Sequence, residues 1–574
     1  MESPVLRWSL IALAVILAVK FGPSVFGSEH KVQPVPAVHY VDAPGFVGDP
    51  VDTPSGQPPE GDICTLQGLD FIADFSSRGA AITHFRLTSE KYALSPAADL
   101  SSTVSNERWR SLRTLFRSVS RAKEPDGSDQ LPYDRFNWAL AAHDGKSCTF
   151  THDAPSALVT KRITAGTRPY ELSVETTIEN RAAEARSHRF SIGAYAYRKN
   201  EDVKGSFGRV SPFQTDLTVA SGEEVIRKPK GDFQTGWFEK DGVDRYVAVT
   251  NYYFAQAIVP VADELQPRPQ GELLGEQWFA PGQDPDADDA GMVFHANLEY
   301  ASRTLKPGEK ATYRQDAYFG PKERDLLAAA LGGHARLSDL IDLGTFSGVA
   351  KVLVGALRFL AEHVTSGSWG LAVVCLTFAL RMLLLPLLIP GIQTTVGMRK
   401  IKPEIELINE RFKDDQMAKT MATQELWRKH KINPAKGCLP QLAAMPVWFA
   451  MYTTLQTAVE MYNTHFLWFR DLSAPDPYYV LPLLLGGFMI VQQKLVPAQG
   501  MDPMQQQMMT WLMPLIFTTM MLFLPAALGL YMLTNSVLGI AQQLVVERIA
   551  QNQSAPSIVV SEPTPTAPRT NARA

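Results

Sequence analysis

The sequence contains few of the residues and motifs that carry chemistry in soluble proteins. It has only 4 cysteines in 574 residues and no C-x-x-C pair, which excludes a disulfide-rich scaffold and a zinc-ribbon or thioredoxin-like motif. Its 11 histidines show no metal-ligand spacing, and a net charge of −4 gives no argument for nucleic-acid binding. Gly-Lys-Ser at 145–147 resembles the end of a phosphate-binding loop, but Leu140 stands where that motif requires glycine. We therefore predict no catalytic residue, metal or cofactor, and expect that the protein is not an enzyme.

Charged residues are missing from long stretches of the C-terminal half. Residues 503–546 are 44 residues without a charged side chain, and a helix of that length would be about twice as long as a membrane core is thick. We predict two spans there, within 508–546, broken near Pro525. Residues 367–390 form another apolar run with one charge, Arg381. An arginine inside a span costs about 2.5 to 3.5 kcal/mol, so Arg381 is expected to face protein or water and to mark a functional site.

Three other apolar stretches complete the predicted membrane domain. Residues 438–462 and 478–496 are long enough to span a bilayer. The apolar stretch 1–26 is either a cleaved signal peptide or an anchor, and we favour the anchor because no A-x-A-like site follows closely. With six spans, both termini are predicted to be cytoplasmic.

Residues 391–437 are predicted to form a cytoplasmic hairpin of two helices. This segment has ten basic and six acidic residues, and an excess of positive charge is typical of cytoplasmic loops. Apolar residues at helical spacing predict one stripe on each helix. The first stripe contains Ile401 and Ile405, and the second contains Met417, Met421 and Leu426.

Residues 61–325 have the period-two pattern of β-strands. In 170–178, Tyr170, Leu172 and Val174 alternate with polar residues, and similar runs with turn signals between them predict an antiparallel β-sandwich. We favour the interpretation that this is a binding or scaffolding domain. Cys64 and Cys148 fall in this domain; they either pair in a disulfide or remain two unpaired small hydrophobic residues.

The remaining segments are connections. The amphipathic helix within 326–366 is predicted to lie flat at the membrane interface, with packing on the β-domain as the alternative. The predicted architecture is therefore a polytopic α-helical membrane protein with an inserted all-β periplasmic sandwich domain. The other connections are a proline-rich periplasmic tether (27–60), a periplasmic loop (463–477), a cytoplasmic loop (497–507) and a disordered tail (547–574).

Several long motifs occur in an order that closely resembles the YidC insertases, the bacterial members of the family that includes the mitochondrial Oxa and chloroplast Alb insertases. In the membrane domain these are TFALR (377–381), NPAKGCLPQLAAMP (433–446), LSAPDPYYVLP (472–482), DPMQQQMM (502–509) and LYMLTNSVLGIAQQ (530–543). GWF (236–238) and YFGPKE (318–323) support a looser similarity of the β-domain to that of Gram-negative relatives. The resemblance implies a five-helix insertase core plus an N-terminal anchor helix in the bacterial inner membrane.

The resemblance also implies a function. Insertases of this family place hydrophobic proteins in the membrane without ATP, through a hydrophilic groove open to cytoplasm and lipid, and act as chaperones alone or with the Sec translocon. The implied partners are nascent membrane proteins, the Sec translocon and membrane lipids. The hairpin 391–437 is the candidate contact for the ribosome and the signal recognition particle receptor.

Carried onto this sequence, the family's intramembrane arginine is Arg381, and polar residues of the spans are candidates for the groove. The alternative role of the polar candidates is interhelical hydrogen bonding, and that of the apolar candidates is packing within the helix bundle. The candidate groove residues are Arg381, Thr377, Gln441, Gln456, Thr518, Asn535 and Ser536. The candidate apolar substrate contacts are Met445, Trp448, Tyr452, Phe517 and Met521. The sequence departs from some relatives at Met532, where they have an aromatic residue, and at Ala444, where they have glutamine.

Two other classes of protein compete with this interpretation. A solute transporter or channel would be expected to have an acidic proton-relay residue or a pair of inverted, broken repeats in its spans, and neither is evident in the sequence. A structural envelope scaffold built around the β-domain would leave Arg381 unexplained.

Overall fold

The computed structural model divides into two compact units. The first unit comprises Met1–Val374, Pro446–Leu483 and Ile516–Tyr531, and the second comprises Cys375–Met445, Leu484–Leu515 and Met532–Ala574. The predicted N-terminal anchor (1–26), the tether (27–60) and the loop 497–507 lie outside the described residues. The residues that the structure describes are 61–93, 99–100, 110–117, 138–202, 215–228, 236–262, 268–279, 282–344, 346–412, 415–430, 432, 435–495 and 508–552.

The first unit contains a domain of antiparallel strands, as the period-two pattern predicts. One short helix, α1 (Glu90–Ala93), follows β3. The strands are β1 (Ile63–Gly68), β2 (Phe71–Ser76), β3 (Ala81–Leu87), β4 (Thr114–Arg117), β5 (Ala139–His143), β6 (Ser147–Ala154), β7 (Ala157–Ala165), β8 (Glu171–Asn180), β9 (Arg186–Lys199), β10 (Asp216–Ser221), β11 (Glu224–Lys228), β12 (Gly236–Lys240), β13 (Tyr246–Thr250), β14 (Phe254–Pro260), β15 (Gln270–Trp278), β16 (Gly291–Glu299), β17 (Arg303–Leu305) and β18 (Lys310–Pro321).

These strands form two large sheets and one small sheet. The nine-stranded sheet has the order β11-β10-β13-β14-β18-β8-β7-β6-β5, and the six-stranded sheet has the order β12-β15-β16-β9-β17, with β4 also paired to β9. Strands β10, β13 and β14 of the first sheet pack against β9, β15 and β16 of the second. The third sheet is β1-β2-β3. The layered arrangement of antiparallel sheets is the β-rich domain that the sequence predicts.

The interior of the domain is built from the apolar members of the alternating runs. Tyr170, Leu172 and Val174 are all at most 1% exposed, so the face predicted for 170–178 is the buried face of β8. Cys64 and Cys148 are also buried and form a disulfide, with 6.2 Å between their Cα atoms. The structure thereby selects one of the two alternatives that the sequence leaves open.

A series of short helices leads from the β-domain to the first long helix. These are α2 (Arg324–Ala329), the 3₁₀ turns Ala330–Gly333 and Leu337–Leu340, and α3 (Ser347–Phe359), which continues in a π-helical turn (Leu360–Val364). Helix α3 is amphipathic, as predicted. Leu353 and Leu357 are buried, whereas Val349 and Val352 are 37% and 70% exposed.

The long apolar segments are helical. Helix α4 (Trp369–Lys400) is followed by the hairpin helices α5 (Lys402–Arg411) and α6 (Gln416–Lys429), and then by α7 (Ala435–Thr457), a 3₁₀ turn (Val459–Met461), α8 (Val480–Leu495), a π-helical turn (Met508–Leu512), α9 (Met513–Met521) and α10 (Ala526–Asn552). The predicted break near Pro525 lies between α9 and α10. Among the described residues, one segment, Trp369–Pro386, is both long and apolar enough to cross a membrane, and Val480–Lys494 and Thr510–Met521 are shorter apolar helices.

Two helices extend beyond their predicted ends. Helix α4 continues through Pro386 and Pro390 to Lys400, so the first ten residues of the segment predicted as hairpin belong to α4. Proline removes one backbone donor without ending a helix when its surroundings support the backbone, which is common in apolar helices. Helix α10 runs to Asn552, so the start of the tail predicted to be disordered is helical. The rest of the tail, 553–574, lies outside the described residues.

The two helices of the hairpin meet at one apolar contact surface. The stripe predicted for the second helix is only partly correct. Ile401, Ile405 and Leu426 are buried together between the two helices. Met417 and Met421 are 72% and 67% exposed, because they lie on the face of α6 opposite this contact. The carboxylate of Asp415 begins α6 by accepting hydrogen bonds from the backbone N–H groups of the following residues, as expected for an N-cap.

Candidate functional site

Arg381, in the apolar segment of α4, forms hydrogen bonds with the last helix, α10. Arg381 donates from Nε to Oδ1 of Asn535 over 2.7 Å, from one terminal nitrogen to the backbone oxygen of Asn535 over 2.8 Å, and from the other to Oε1 of Gln542 over 3.0 Å. All three residues belong to the second compact unit. Arg381 is partly buried, and Gln542 is 8% exposed. Arg381 was predicted to face protein or water, and these contacts are with protein.

The spacing of residues in α10 explains how one helix reaches the guanidinium at two points. Asn535 and Gln542 are seven residues apart, which is about two helical turns, so they lie on the same face. Gly539 lies between them on that face, and a Cβ atom there would be 2.9 Å from a terminal nitrogen of Arg381. The missing side chain of Gly539 therefore leaves the room that the guanidinium occupies.

The acceptors in these three hydrogen bonds are neutral. Each is an amide oxygen, two from side chains and one from the backbone. Amide oxygens satisfy N–H donors of a guanidinium by charge-assisted hydrogen bonds. These three contacts help to accommodate a cation inside an apolar segment.

Two other predicted groove residues of this unit, Thr377 and Ser536, are near in sequence to the residues just described. Thr377 precedes Arg381 by about one helical turn and is 1% exposed. Ser536 follows Asn535 and is partly buried. Gln441 lies in α7, and its side chain is outside the part of the chain that the structure describes. Met445, predicted as an apolar substrate contact, is partly buried in the same helix.

The remaining predicted site residues belong to the first compact unit. Gln456 lines a cavity of about 130 Å³ together with residues of the β-domain (Tyr252, Tyr253) and of the loop after α7 (Tyr462, Asp471, Ser473). This neighbourhood was not predicted for Gln456. Thr518 is partly buried in α9.

The predicted apolar contacts in the first unit are packed to different degrees. The rings of Trp448 and Tyr452 are stacked with centroids 6.0 Å apart, and both side chains are partly buried. Phe517 is partly buried, whereas Met521 is only 2% exposed. The burial of Met521 favours the alternative role of bundle packing over contact with a substrate.

Gln542 and Gly539 are the site residues that the sequence interpretation missed. The LYMLTNSVLGIAQQ motif contains both, but only Asn535 and Ser536 were selected from it. The signal that could have found Gln542 is its spacing of seven from Asn535, since two amides on one face of an apolar helix are expected to share a partner. The role of Gly539 depends on a contact with another helix, so spacing within α10 does not reveal it.

Known protein families match both the β-domain and the helical C-terminal part of the chain. The family model described as 60Kd inner membrane protein matches residues 359–553, and the model described as YidC periplasmic domain matches residues 69–356. The Membrane protein insertase YidC of Geotalea daltonii is 28% identical over 557 residues, covering 96% of this chain and 99% of that protein. The same-named protein of Anaeromyxobacter dehalogenans (strain 2CP-1) is 30% identical over 501 residues, covering 86% of each chain.

Solved structures give weaker similarity. The crystal structure of an active YidC insertase with its first transmembrane domain resolved is 16% identical, with a TM-score of 0.35, and covers 84% of this chain and 94% of that one. A putative aldose 1-epimerase from Escherichia coli K12 is 15% identical, with a TM-score of 0.29, and the match covers 45% of this chain and 99% of that one. These scores are too low to support an argument, so the assignment depends on the sequence matches. From the two family models and the relatives matched over most of its length, this chain belongs to the YidC family of membrane protein insertases.

Proposed function

We propose that this protein inserts integral membrane proteins into the inner membrane, and that it also helps them to fold and assemble, alone or together with the Sec translocon. The family is one of membrane insertases and not of enzymes. The observation that carries the proposal for this chain is Arg381, a cation inside the apolar helix α4 that donates hydrogen bonds to amide oxygens of α10. Such a charge attracts acidic residues in the exported tail of a substrate.

The driving force in this proposal comes from the substrate. Moving roughly 20 apolar residues from water into hydrocarbon is strongly favourable and needs no nucleotide. The obstacle is the polar tail that must cross, and a hydrophilic groove with Arg381 in it lowers that cost by supplying water and a fixed positive charge. The proposed groove includes Thr377, Asn535 and Ser536 near Arg381, with Gln441, Gln456 and Thr518 as further polar candidates.

The proposed orientation places both termini and the hairpin in the cytoplasm and the β-domain in the periplasm. The excess of basic residues in the hairpin supports this orientation. The hairpin is then available to the ribosome and the signal recognition particle receptor. Helix α3 is proposed to lie at the lipid surface, since its Val352 and Phe359 are 70% and 58% exposed although both are apolar.

The test is insertion of a substrate with an acidic exported tail by the Arg381→Ala and Arg381→Lys variants, in depleted cells or proteoliposomes. We expect Arg381→Ala to impair insertion, because the field that attracts the tail is lost. Arg381→Lys should retain more activity, since it keeps the charge while losing the forked geometry of the guanidinium. A matched substrate with a neutral tail is the control. Full activity of the alanine variant on all acidic-tailed substrates would contradict the role of charge attraction.

A further inference from the structure

One cavity in the first compact unit is lined by groups that attract a cation. Its volume is about 130 Å³, and its lining includes Tyr252, Tyr253, Tyr462 and Asp471. None of the described residues that line it is basic. An apolar cavity of about 150 Å³ holds benzene, so this cavity has room for a small organic group.

The carboxylate of Asp471 is held by neutral donors. Its Oδ1 accepts hydrogen bonds from the backbone N–H groups of Asn463 and Ser473, over 3.1 and 2.8 Å, and from the Ser473 hydroxyl over 2.7 Å. Oδ2 accepts none of these three bonds. With the residues that the structure describes, Asp471 forms no ion pair. Burial raises the pKa of Asp471, and a cation in the cavity would oppose this by favouring the charged carboxylate.

The aromatic part of the lining is a group of rings inclined to one another. The ring of Tyr253 lies 6.4 Å from that of Tyr252 and 5.2 Å from that of Tyr462, with interplanar angles of 53° and 46°. Aromatic cages that recognise ammonium groups are built from several rings, because the face of each ring carries the negative part of its quadrupole. The cavity therefore combines the two features that bind organic cations, aromatic rings and a carboxylate.

The cavity lies where apolar helices end. Gln456 belongs to the last turn of α7, and Pro525 lies between α9 and α10. The loop that carries Asp471 is fixed to the start of α10, since the backbone N–H of Ala526 donates to the carbonyl of Ala474 over 2.8 Å. The ends of apolar spans lie at the level of the lipid headgroups, so a headgroup is favoured over an amine of a soluble peptide.

We propose that this cavity binds the primary ammonium group of an aminophospholipid such as phosphatidylethanolamine, with Asp471 as its counter-charge and Tyr252, Tyr253 and Tyr462 as aromatic walls. An alkylammonium group has three N–H donors, and the amide oxygen of Gln456 can accept from one of them. The ligand is then held by charge-assisted hydrogen bonds together with cation–π attraction. The inference goes beyond the proposed function, and its test does not require insertion activity.

The test compares two lipids that differ only in the cation. Dioctanoyl phosphatidylethanolamine and its N-acetyl derivative would be titrated onto the full-length protein in detergent and followed by native mass spectrometry. The measured quantity is the headgroup preference, the ratio of the dissociation constant of the N-acetyl derivative to that of the amine lipid. We expect a preference of about tenfold or more, in line with a hydrogen bond between charged groups. Equal affinities would overturn the proposal and leave the cavity to water.

Asp471→Asn tests the counter-charge, because it keeps the shape and one acceptor oxygen of the side chain. We expect it to lower the headgroup preference about tenfold. Asp476→Asn is the matched control. Asp476 lies in the same loop and also accepts from backbone N–H groups, those of Tyr478 and Leu481, but it is not among the residues that line the cavity. A preference that survives Asp471→Asn, or that both variants lose equally, would overturn the proposal.

Substitutions of the half-buried Tyr252 test the aromatic wall. Tyr252→Phe keeps the ring face and should keep the headgroup preference, whereas Tyr252→Leu should lower it several-fold. Equal effects of the two changes would show that the ring is not part of the site.

Competition by soluble amines distinguishes the lipid from a peptide. Ethanolamine, which has the amine of the headgroup, should displace the amine lipid from the wild-type protein. Displacement by N-acetyl-lysine amide at a lower concentration than by ethanolamine would overturn the assignment to a lipid headgroup.

Discussion

One partly buried and one fully buried basic side chain show how this protein accommodates such groups in two settings. Arg381 is held by amide oxygens in a helix that is proposed to span the membrane. Lys161 lies in the core of the β-domain with 0% of its surface exposed, and its ammonium group donates to the backbone oxygens of Ala80, over 2.8 Å, and Leu112. Burial, and to a smaller extent the nearby Arg113 guanidinium, lower the pKa of Lys161 to about 7.

This lowered pKa predicts how the stability of the β-domain depends on pH. Between pH 7 and the usual lysine pKa of about 10.4, the unfolded chain binds a proton at Lys161 that the folded chain does not, so the free energy of unfolding rises with pH in this window. The slope is at most about 1.4 kcal/mol per pH unit from this residue. Lys322, whose pKa is lowered to about 8 chiefly by burial, contributes in the same direction. We therefore expect the thermal midpoint of the β-sheet signal in circular dichroism to rise from pH 7 to pH 9.

The variant Lys161→Met should flatten this rise without abolishing it, because Lys322 remains. The control is Lys310→Met, which removes a lysine whose side chain is 60% exposed and should leave the slope unchanged. Equal slopes in the wild-type protein and in Lys161→Met would show that Lys161 is not the source of the pH dependence.

At the scale of elements, the hairpin shows that helical spacing identifies an apolar stripe but not which stripe is covered. Ile401 and Ile405 form the predicted stripe of α5, and they meet Leu426 of α6. Met417 and Met421 have the same spacing relative to each other as a core pair, yet both are more than half exposed. The partner helix covers only one side of α6, and a sequence pattern does not say which side that is.

The hairpin contact predicts unequal effects of two similar substitutions. Leu426→Ala removes a side chain that is 7% exposed, and such changes typically cost about 2 to 5 kcal/mol. Met421→Ala removes one that is 67% exposed and should cost little. Hydrogen exchange of the backbone amides of α5 and α6 in the full-length protein would measure this. We expect faster exchange in Leu426→Ala only; similar exchange in both variants would mean that the described contact does not hold the hairpin together.

At the scale of the whole molecule, the first compact unit gathers segments that are far apart in the chain. Val459 and Tyr462 follow α7, yet they belong to the hydrophobic core of the β-domain. The ring of Tyr462 lies 5.2 Å from that of Tyr253 and 5.6 Å from that of Phe254. The side chain of Asn463 donates to the backbone oxygen of Lys91 over 3.0 Å. The loop after α7 is thus part of the β-domain, although the sequence separates the two.

We expect Tyr462→Ala to loosen this attachment, because truncating a buried aromatic side chain commonly costs about 3 kcal/mol or more. Limited proteolysis and hydrogen exchange of residues 459–463 and of α1 would detect the change. Tyr478→Ala is the matched control in the same loop, since Tyr478 is 68% exposed. If residues 459–463 and α1 are as well protected from proteolysis and exchange in Tyr462→Ala as in the wild-type protein, the aromatic contacts do not hold the loop.

The sequence by itself determined the parts of this protein that depend on local periodicity and composition. Alternation placed Tyr170, Leu172 and Val174 on a buried face, the charge-free run predicted two segments broken near Pro525, and one arginine in an apolar segment marked a candidate site. These features follow from the geometry of a single strand or helix, or from the cost of burying one charge, so no knowledge of the neighbours is needed.

Only the tertiary structure decided which distant residues meet. It joined Cys64 to Cys148, brought Gln542 and Gly539 to Arg381, and placed Tyr462 in the β-domain core. It also turned Met417 and Met421 outward. Each of these outcomes depends on the relative position of two elements, which is set by packing over the whole surface of both. A pattern within one element specifies the face that is available, and the partner determines how that face is used.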